Sequence, residues 1–286
     1  MKTLSPLHAP RARSALACLL AGAALLADVG RADAVTVTPA ALFIDHRTRS
    51  ASLTLHNPGL TAEEIEITFA FGYARSDEHG RIQVVFLDSV PPYEPSAVPF
   101  LRAFPRRLRL EPGQRQLVRI LVQPPRDLAD GEYWARVMVA STGGQPPIEQ
   151  RTGDVRLQLE VRTVFAVALN YRHGSVATGL EVEDARVEAT DSTLDLLLDM
   201  ERQGNAAFLG HVVVELLDDR GRVVAEVEQD VAVYRRILWR FPLALPEGRP
   251  PAAGWRVRWR VDAERDGEEA PHILRASARS GTFPLP

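Results

Sequence analysis

The sequence predicts an all-β protein built as two immunoglobulin-like β-sandwich domains in tandem. Three observations predict it. Apolar and polar residues alternate over short segments, Pro, Gly, Asn and Asp punctuate those segments, and no stretch keeps a helical period of apolar residues over ten or more positions. Phe104 to Ala140 is the most regular part. Leu108 and Leu110 alternate with Arg107 and Arg109; Val118, Ile120 and Val122 follow the Pro112-Gly113 turn; Tyr133 to Val139 follow Asp130-Gly131.

The other expected strands follow in order. Upstream they are Val35 to Thr38, Ser50 to Asn57, Ile65 to Phe71, Arg81 to Leu87 and Val155 to Leu169. In the second and third of these, Ala51, Leu53 and Leu55 oppose Ser52, Thr54 and His56, and Ile65, Ile67, Phe69 and Phe71 oppose Glu64, Glu66 and Thr68, so one face is buried and one is wet. Downstream come Leu180 to Ala189, Thr193 to Met200, His211 to Leu217, Val223 to Val227, Val231 to Phe241, Trp255 to Val261 and Ile273 to Ala278. Tyr171-Arg172-His173-Gly174-Ser175 reads as the hinge, which divides the chain into domains 35–172 and 173–286 of seven or eight strands each. The longest loops are expected at Asp88 to Pro99 and Ser141 to Asp154.

Residues 1–34 read as a secretory signal: Lys2, Arg11 and Arg13 are basic, Ala15 to Ala27 are largely apolar, and Ala32-Asp33-Ala34 has the small-x-small cleavage pattern. The expected location is the periplasm, with no membrane insertion, since no later stretch approaches the roughly 20 apolar residues that span a bilayer. Cys18, the one cysteine, lies in that leader, so the remaining chain folds without disulfides. Leaving out residues 1–34 removes four basic and two acidic side chains and moves the net charge from −3 to −5, which argues against nucleic acid as a partner.

The motifs of common catalytic chemistry are missing: there is no H-E-x-x-H, G-x-S-x-G, S-x-x-K or phosphate-binding glycine loop. No catalytic residue, metal site or cofactor is therefore expected. His46, His56, His79, His173, His211 and His272 lack the spacing that brings two imidazoles to one metal, and Glu63-Glu64, Asp218-Asp219 and Glu268-Glu269 read as solvated turn charges. Trp255 and Trp259 share a face with Val257 and Val261, which favours core packing over a sugar platform. The segment Val155-Arg-Leu157-Gln-Leu159-Glu-Val161 alternates strictly after a long polar loop. It reads either as an exposed edge strand meant for a partner or as an ordinary last strand with Leu157, Leu159 and Val161 in its own core, and pattern alone leaves both open.

In order along the chain stand a strand running into Asp45, SASLTLHNPG (50–59), FPRRLRLEPGQRQLVRILV, the turn DLADGEYW, a variable loop, and LQLEV followed by a run to Tyr171-Arg172. These segments resemble the PapD-like periplasmic chaperones of pilus assembly, clearly from Val35 to about Arg172 and loosely beyond. The resemblance implies two immunoglobulin-like domains in an L. The last strand of the first domain is lent, without ATP, to a pilin-like or other β-rich secreted subunit, and an outer-membrane usher is a further partner. Carried over, Leu157, Leu159 and Val161 are the donated side chains. The family's carboxylate-holding Arg falls at Ala41, and its Lys at Ala166 or Ala168; either Arg162, on the same face as those alanines, substitutes, or the client is recognised differently. The same departure leaves room for a structural or adhesive two-sandwich module of a surface appendage.

Overall fold

The structure is a computed structural model, and it describes residues 35–143, 148–152, 155–159, 162–189, 193–245 and 253–285. The leader expected over residues 1–34 lies outside these. Nearly everything described is β-structure, in two sandwiches that follow one another along the chain.

The first sandwich contains β1 (Thr36–Thr38), β2 (Ala41–Asp45), β3 (Ser50–His56), β4 (Glu63–Ser76), β5 (Ile82–Leu87), β6 (Leu101–Phe104), β7 (Arg107–Leu110), β8 (Arg115–Val122), β9 (Gly131–Thr142) and β12 (Arg162–His173). Its sheets run β1-β3-β8-β6 and β2-β12-β9-β4-β5, with β7 added beside β4. β10 (Ile148–Thr152) and β11 (Val155–Leu159) pair with each other as a two-stranded arm. The alternation read from the sequence decides what is buried: Leu53, Leu55, Ile65, Ile67, Leu110, Val118, Ile120, Val137, Val139 and Leu169 fill the core. Each such side chain contributes about 1.5–3 kcal/mol by leaving water. Asn57 is fully buried and ties two turns to this core. Its side-chain nitrogen donates to the carbonyls of Thr61 and Leu110, and its oxygen accepts from the Gly59 amide.

The second sandwich contains β13 (Thr178–Ala189), β14 (Thr193–Gly204), β15 (Phe208–Leu217), β16 (Val223–Val233), β17 (Arg236–Ala244), β18 (Arg256–Asp262) and β19 (Arg279–Pro284). Its sheets run β13-β14-β17 and β16-β15-β18-β19. Trp255, Val257, Trp259 and Val261 are buried, and Arg256, Arg258 and Arg260 face solvent, so the tryptophans are core residues.

Several expected strands prove longer, β4 and β16 among them, and three differ in kind from those observed. Val155 to Leu169 is two strands, β11 and β12. Val231 to Phe241 breaks at Tyr234-Arg235, where Tyr234 packs into a separate aromatic cluster and Arg235 pairs with Glu94 at 2.7 Å. Ile273 to Ala278 forms no strand. A 3-10 helix, Gly267–His272, precedes it, and the final strand is β19, where Gly281 lies against the Trp259 ring so closely that a Cβ would sit 2.7 Å from the indole nitrogen.

The expected hinge is held on both sides. The Ser175 amide donates to Asp130, and the Asn205 side chain donates to the carbonyls of Asp130 and Ser175 while accepting from the Ala177 amide. Beside it Phe71, Tyr73 and Trp134 of the first sandwich pack with Ala207, Leu209 and Tyr234 of the second; Trp134 and Tyr234 meet edge to face at 4.8 Å. The tip of the β4–β5 hairpin also reaches across. Arg240 donates its amide to the Gly80 carbonyl, Leu238 donates its amide to Ser76 Oγ, and Ala74 and Ile82 pack against the second core.

Candidate functional site

β12 pairs with β9 along its whole length, from Arg162 opposite Thr142 to His173 opposite Gly131. On its other side the parallel partner β2 covers only Ala168 to Arg172. Among the described residues no strand covers that side of Arg162 to Val167. The Ala168 amide donates toward β2, to the Ala40 carbonyl at 3.3 Å, so by the two-residue period the amides of Ala166, Val164 and Arg162 point toward the uncovered side. Six residues of strand therefore offer a backbone edge.

The side chains divide cleanly. Phe165 and Val167 pack on the first core, whereas Arg162, Val164 and Ala166 face out, Val164 being 46% exposed. Arg162 stands 3.7 Å from Glu66, which Arg107 holds more tightly at 2.6 Å. The hydrogen bond from Arg107 keeps the Glu66 carboxyl below its ordinary range. Arg162 remains largely exposed and only loosely paired, with donors to spare.

Between β9 and β12 in sequence, β10 and β11 form a two-stranded sheet of their own. Leu157 lies opposite Gln150 and Leu159 opposite Ile148, and among the described residues no third strand joins β10 and β11. Val161 lies outside the described residues. Of the alanines that the resemblance sets at basic positions, Ala41 and Ala168 share a register position and are direct neighbours, whereas the alternative Ala166 lies beyond the end of β2. A cleft of about 500 Å³ beside Ala41 is lined by Phe43, Ala51, Ser52, Glu268, Glu269 and His272, and so presents carboxylates where a carboxylate would need cations. Phe43 stacks on His272 at 4.8 Å.

The alternation of Leu157 and Leu159 was visible in sequence, but the open stretch from Arg162 to Val167 was not. Its exposure depends on where β2 starts to pair, and nothing in Ala41 to Asp45 announces that register. Among the described residues no group of three or more His, Cys, Asp or Glu is arranged to hold a metal ion, and no helix is long and apolar enough to cross a membrane.

Among the solved structures the chain is similar to several chaperones. It is similar to the CupB2 chaperone of Pseudomonas aeruginosa at 14% identity and a TM-score of 0.39, covering 87% of this chain and all of that one. It is similar at 15% identity and a TM-score of 0.42 to the complex of Salmonella enterica SafA pilin with the SafB chaperone, covering 88% and 96%. A third similarity, at 11% identity and a TM-score of 0.41, is to the CsuC-CsuE chaperone–tip subunit complex of Acinetobacter baumannii, covering 80% and 93%. No family model matches the chain, and no curated protein does. At these identities and scores the fold rests on the sheet pairings themselves.

Proposed function

We propose that this chain is a non-catalytic, ATP-independent chaperone-like protein of the periplasm, working as two domains, 35–172 and 173–286. It binds a pilin-like or other β-rich secreted subunit by lending it an edge strand. The observation that carries the reading is the side of Arg162 to Val167 that no described strand covers, with β11 before it in sequence paired, among the described residues, to β10 alone. A client strand placed there gains affinity from main-chain hydrogen bonds, and the row Leu157, Leu159, Val161 supplies specificity by filling the client's apolar groove. Arg162, at the base of the arm, receives the client's terminal carboxylate in place of the missing basic pair at Ala41 and Ala168.

Affinity purification of the processed protein from its native periplasm, wild type beside Leu159→Glu, tests this. A small β-rich secreted protein should accompany wild type and be lost with the variant; equal recovery would sink the proposal. The uncharged pair Ala41 and Ala168 favours a second reading, a structural or adhesive module of a surface appendage. Stable incorporation of the chain itself into surface fibres would select that reading.

A further inference from the structure

The sheet β1-β3-β8-β6 differs from every other described sheet in one respect: none of its strands carries an Asp or Glu. Its outer face carries positive charge alone. Arg115, Leu117, Arg119 and Leu121 of β8 point away from the core that Val118, Ile120 and Val122 enter, and Arg119 lies between Ser52 of β3 and Phe104 of β6. Elsewhere exposed arginines on sheet faces meet a carboxylate: Arg107 pairs with Glu66 at 2.6 Å, Arg236 with Asp199 at 2.6 Å and Arg258 with Glu215 at 2.5 Å. Among the described residues no carboxylate pairs with Arg102, Arg115 or Arg119. The apolar side chains between these arginines are also exposed, Leu117 by 52% and Phe104 by 75%. In a chain of net charge −3 this is a basic and apolar surface without an internal counter-charge.

We infer that this face docks an extended, acidic polypeptide segment of another protein, with two carboxylates four residues apart and an apolar residue midway between them. Alternate residues of a strand advance about 7 Å, so Arg115 and Arg119 stand about 13 Å apart with Leu117 between them. An extended peptide laid on the sheet has the same repeat. Its first and fifth side chains meet the two guanidiniums while the third covers Leu117, and the pattern reads the same in either chain direction. β3 leaves room for such a chain, because it presents only the small side chains Ser50, Ser52 and Thr54 beside the taller row of β8. Glu268 and Glu269 line the cleft at Ser52 and hold an acidic chain to the β8 side. The relief is wrong for a lipid surface: a face that enters the acyl boundary leads with its apolar side chains, whereas Leu117 lies between longer arginines. This surface is on the sheet that lacks β12 and does not depend on the function proposed there.

Fluorescence anisotropy of the peptide Thr-Thr-Glu-Thr-Leu-Thr-Glu-Thr-Thr, blocked at both ends and labelled with tetramethylrhodamine, tests the inference on the purified protein at low salt. Wild type should bind it, and more weakly as salt rises. Arg115→Glu and Arg119→Glu should each lower the affinity about fivefold or more, since reversing a charge turns an attraction into a repulsion. Arg256→Glu, at an exposed arginine of the second sandwich, should bind as wild type does. Peptides with Gln for both Glu, or with the two Glu adjacent and so on opposite faces, should not bind. All three substitutions are at exposed sites, and unfolding midpoints equal to wild type confirm that the variants fold. Three results would overturn the inference: no binding by wild type, equal binding by Arg115→Glu and Arg119→Glu, or equal binding of the Gln peptide. Phosphatidylglycerol vesicles that wild type binds in preference to the peptide and Arg119→Glu does not, or a dimer in sedimentation velocity that Arg119→Glu dissolves, would likewise replace the acidic segment as occupant.

Discussion

Glu132 concentrates the electrostatics of the junction between the sandwiches in one residue. It is 1% exposed, accepts from the Trp134 indole at 3.0 Å and the Ala207 amide at 3.1 Å, and pairs with Arg172 at 2.8 Å. Removing one partner of a buried pair leaves the other uncompensated, so Glu132→Ala should cost about 3 kcal/mol or more in urea unfolding, with Glu132→Gln costing less because it keeps an acceptor. Asp77 is a contrasting case nearer the surface. The backbone hydrogen bond from Arg81, aided by the Arg81 side chain, holds its carboxyl at about 2, against an ordinary 3.8. A depressed folded-state value means that the turn's stabilisation is complete above the unfolded value and is lost as pH falls from about 4 toward 2. An NMR titration of the Asp77 side chain should therefore find its midpoint near 2; a midpoint near 3.8 would show that the turn does not hold it. Neither role was legible in sequence, where Glu132 is one polar letter in Gly-Glu-Tyr-Trp and Asp77 one charge among several before Gly80.

At the scale of elements, strands with strict alternation were legible and their limits were not. β3, β8 and β18 stand where Ser50 to Asn57, Val118 to Val122 and Trp255 to Val261 were expected, because a half-buried strand writes its burial into every second residue. β16 and β17 were misread because Val231, Val233, Ile237 and Trp239 continue the same parity through the turn between them. The β4–β5 hairpin was expected only as two strands, and its reach onto β17 depends on tertiary docking. That docking leaves no room at Gly80, which has φ +75° and whose added Cβ would lie 3.0 Å from the Arg240 backbone nitrogen. Gly80→Ala should cost roughly 1–2 kcal/mol from backbone strain alone. Amide exchange should accelerate first at Leu238 and Arg240, whose amides bond to the hairpin; unchanged protection there would contradict this account of the docking.

For the whole molecule, the tandem all-β plan was legible from punctuation and alternation, and the junction was not. Tyr171 to Ser175 looked like a hinge because Gly174 and Ser175 interrupt a strand pattern, yet Asn205, Asp130 and the Trp134 cluster clasp it. Trp134→Ala should lower the unfolding midpoint of both sandwiches together, at a cost of about 3–5 kcal/mol of unfolding free energy. Two separate transitions in a calorimetric scan of wild type would mean that the junction does not couple them. The candidate site was half legible: Leu157 and Leu159 stood out by alternation, and the run Arg162 to Val167, uncovered among the described residues, emerged only from the short register of β2.

The central claim is that a client strand docks along the uncovered side of β12, and amide hydrogen exchange tests it most directly. It is measured on the protein alone and on the protein captured with its periplasmic client. The amides of Val164 and Ala166 should exchange quickly in the free protein and become protected in the complex. Protection that appears elsewhere, with Val164 and Ala166 still exchanging freely, would contradict it.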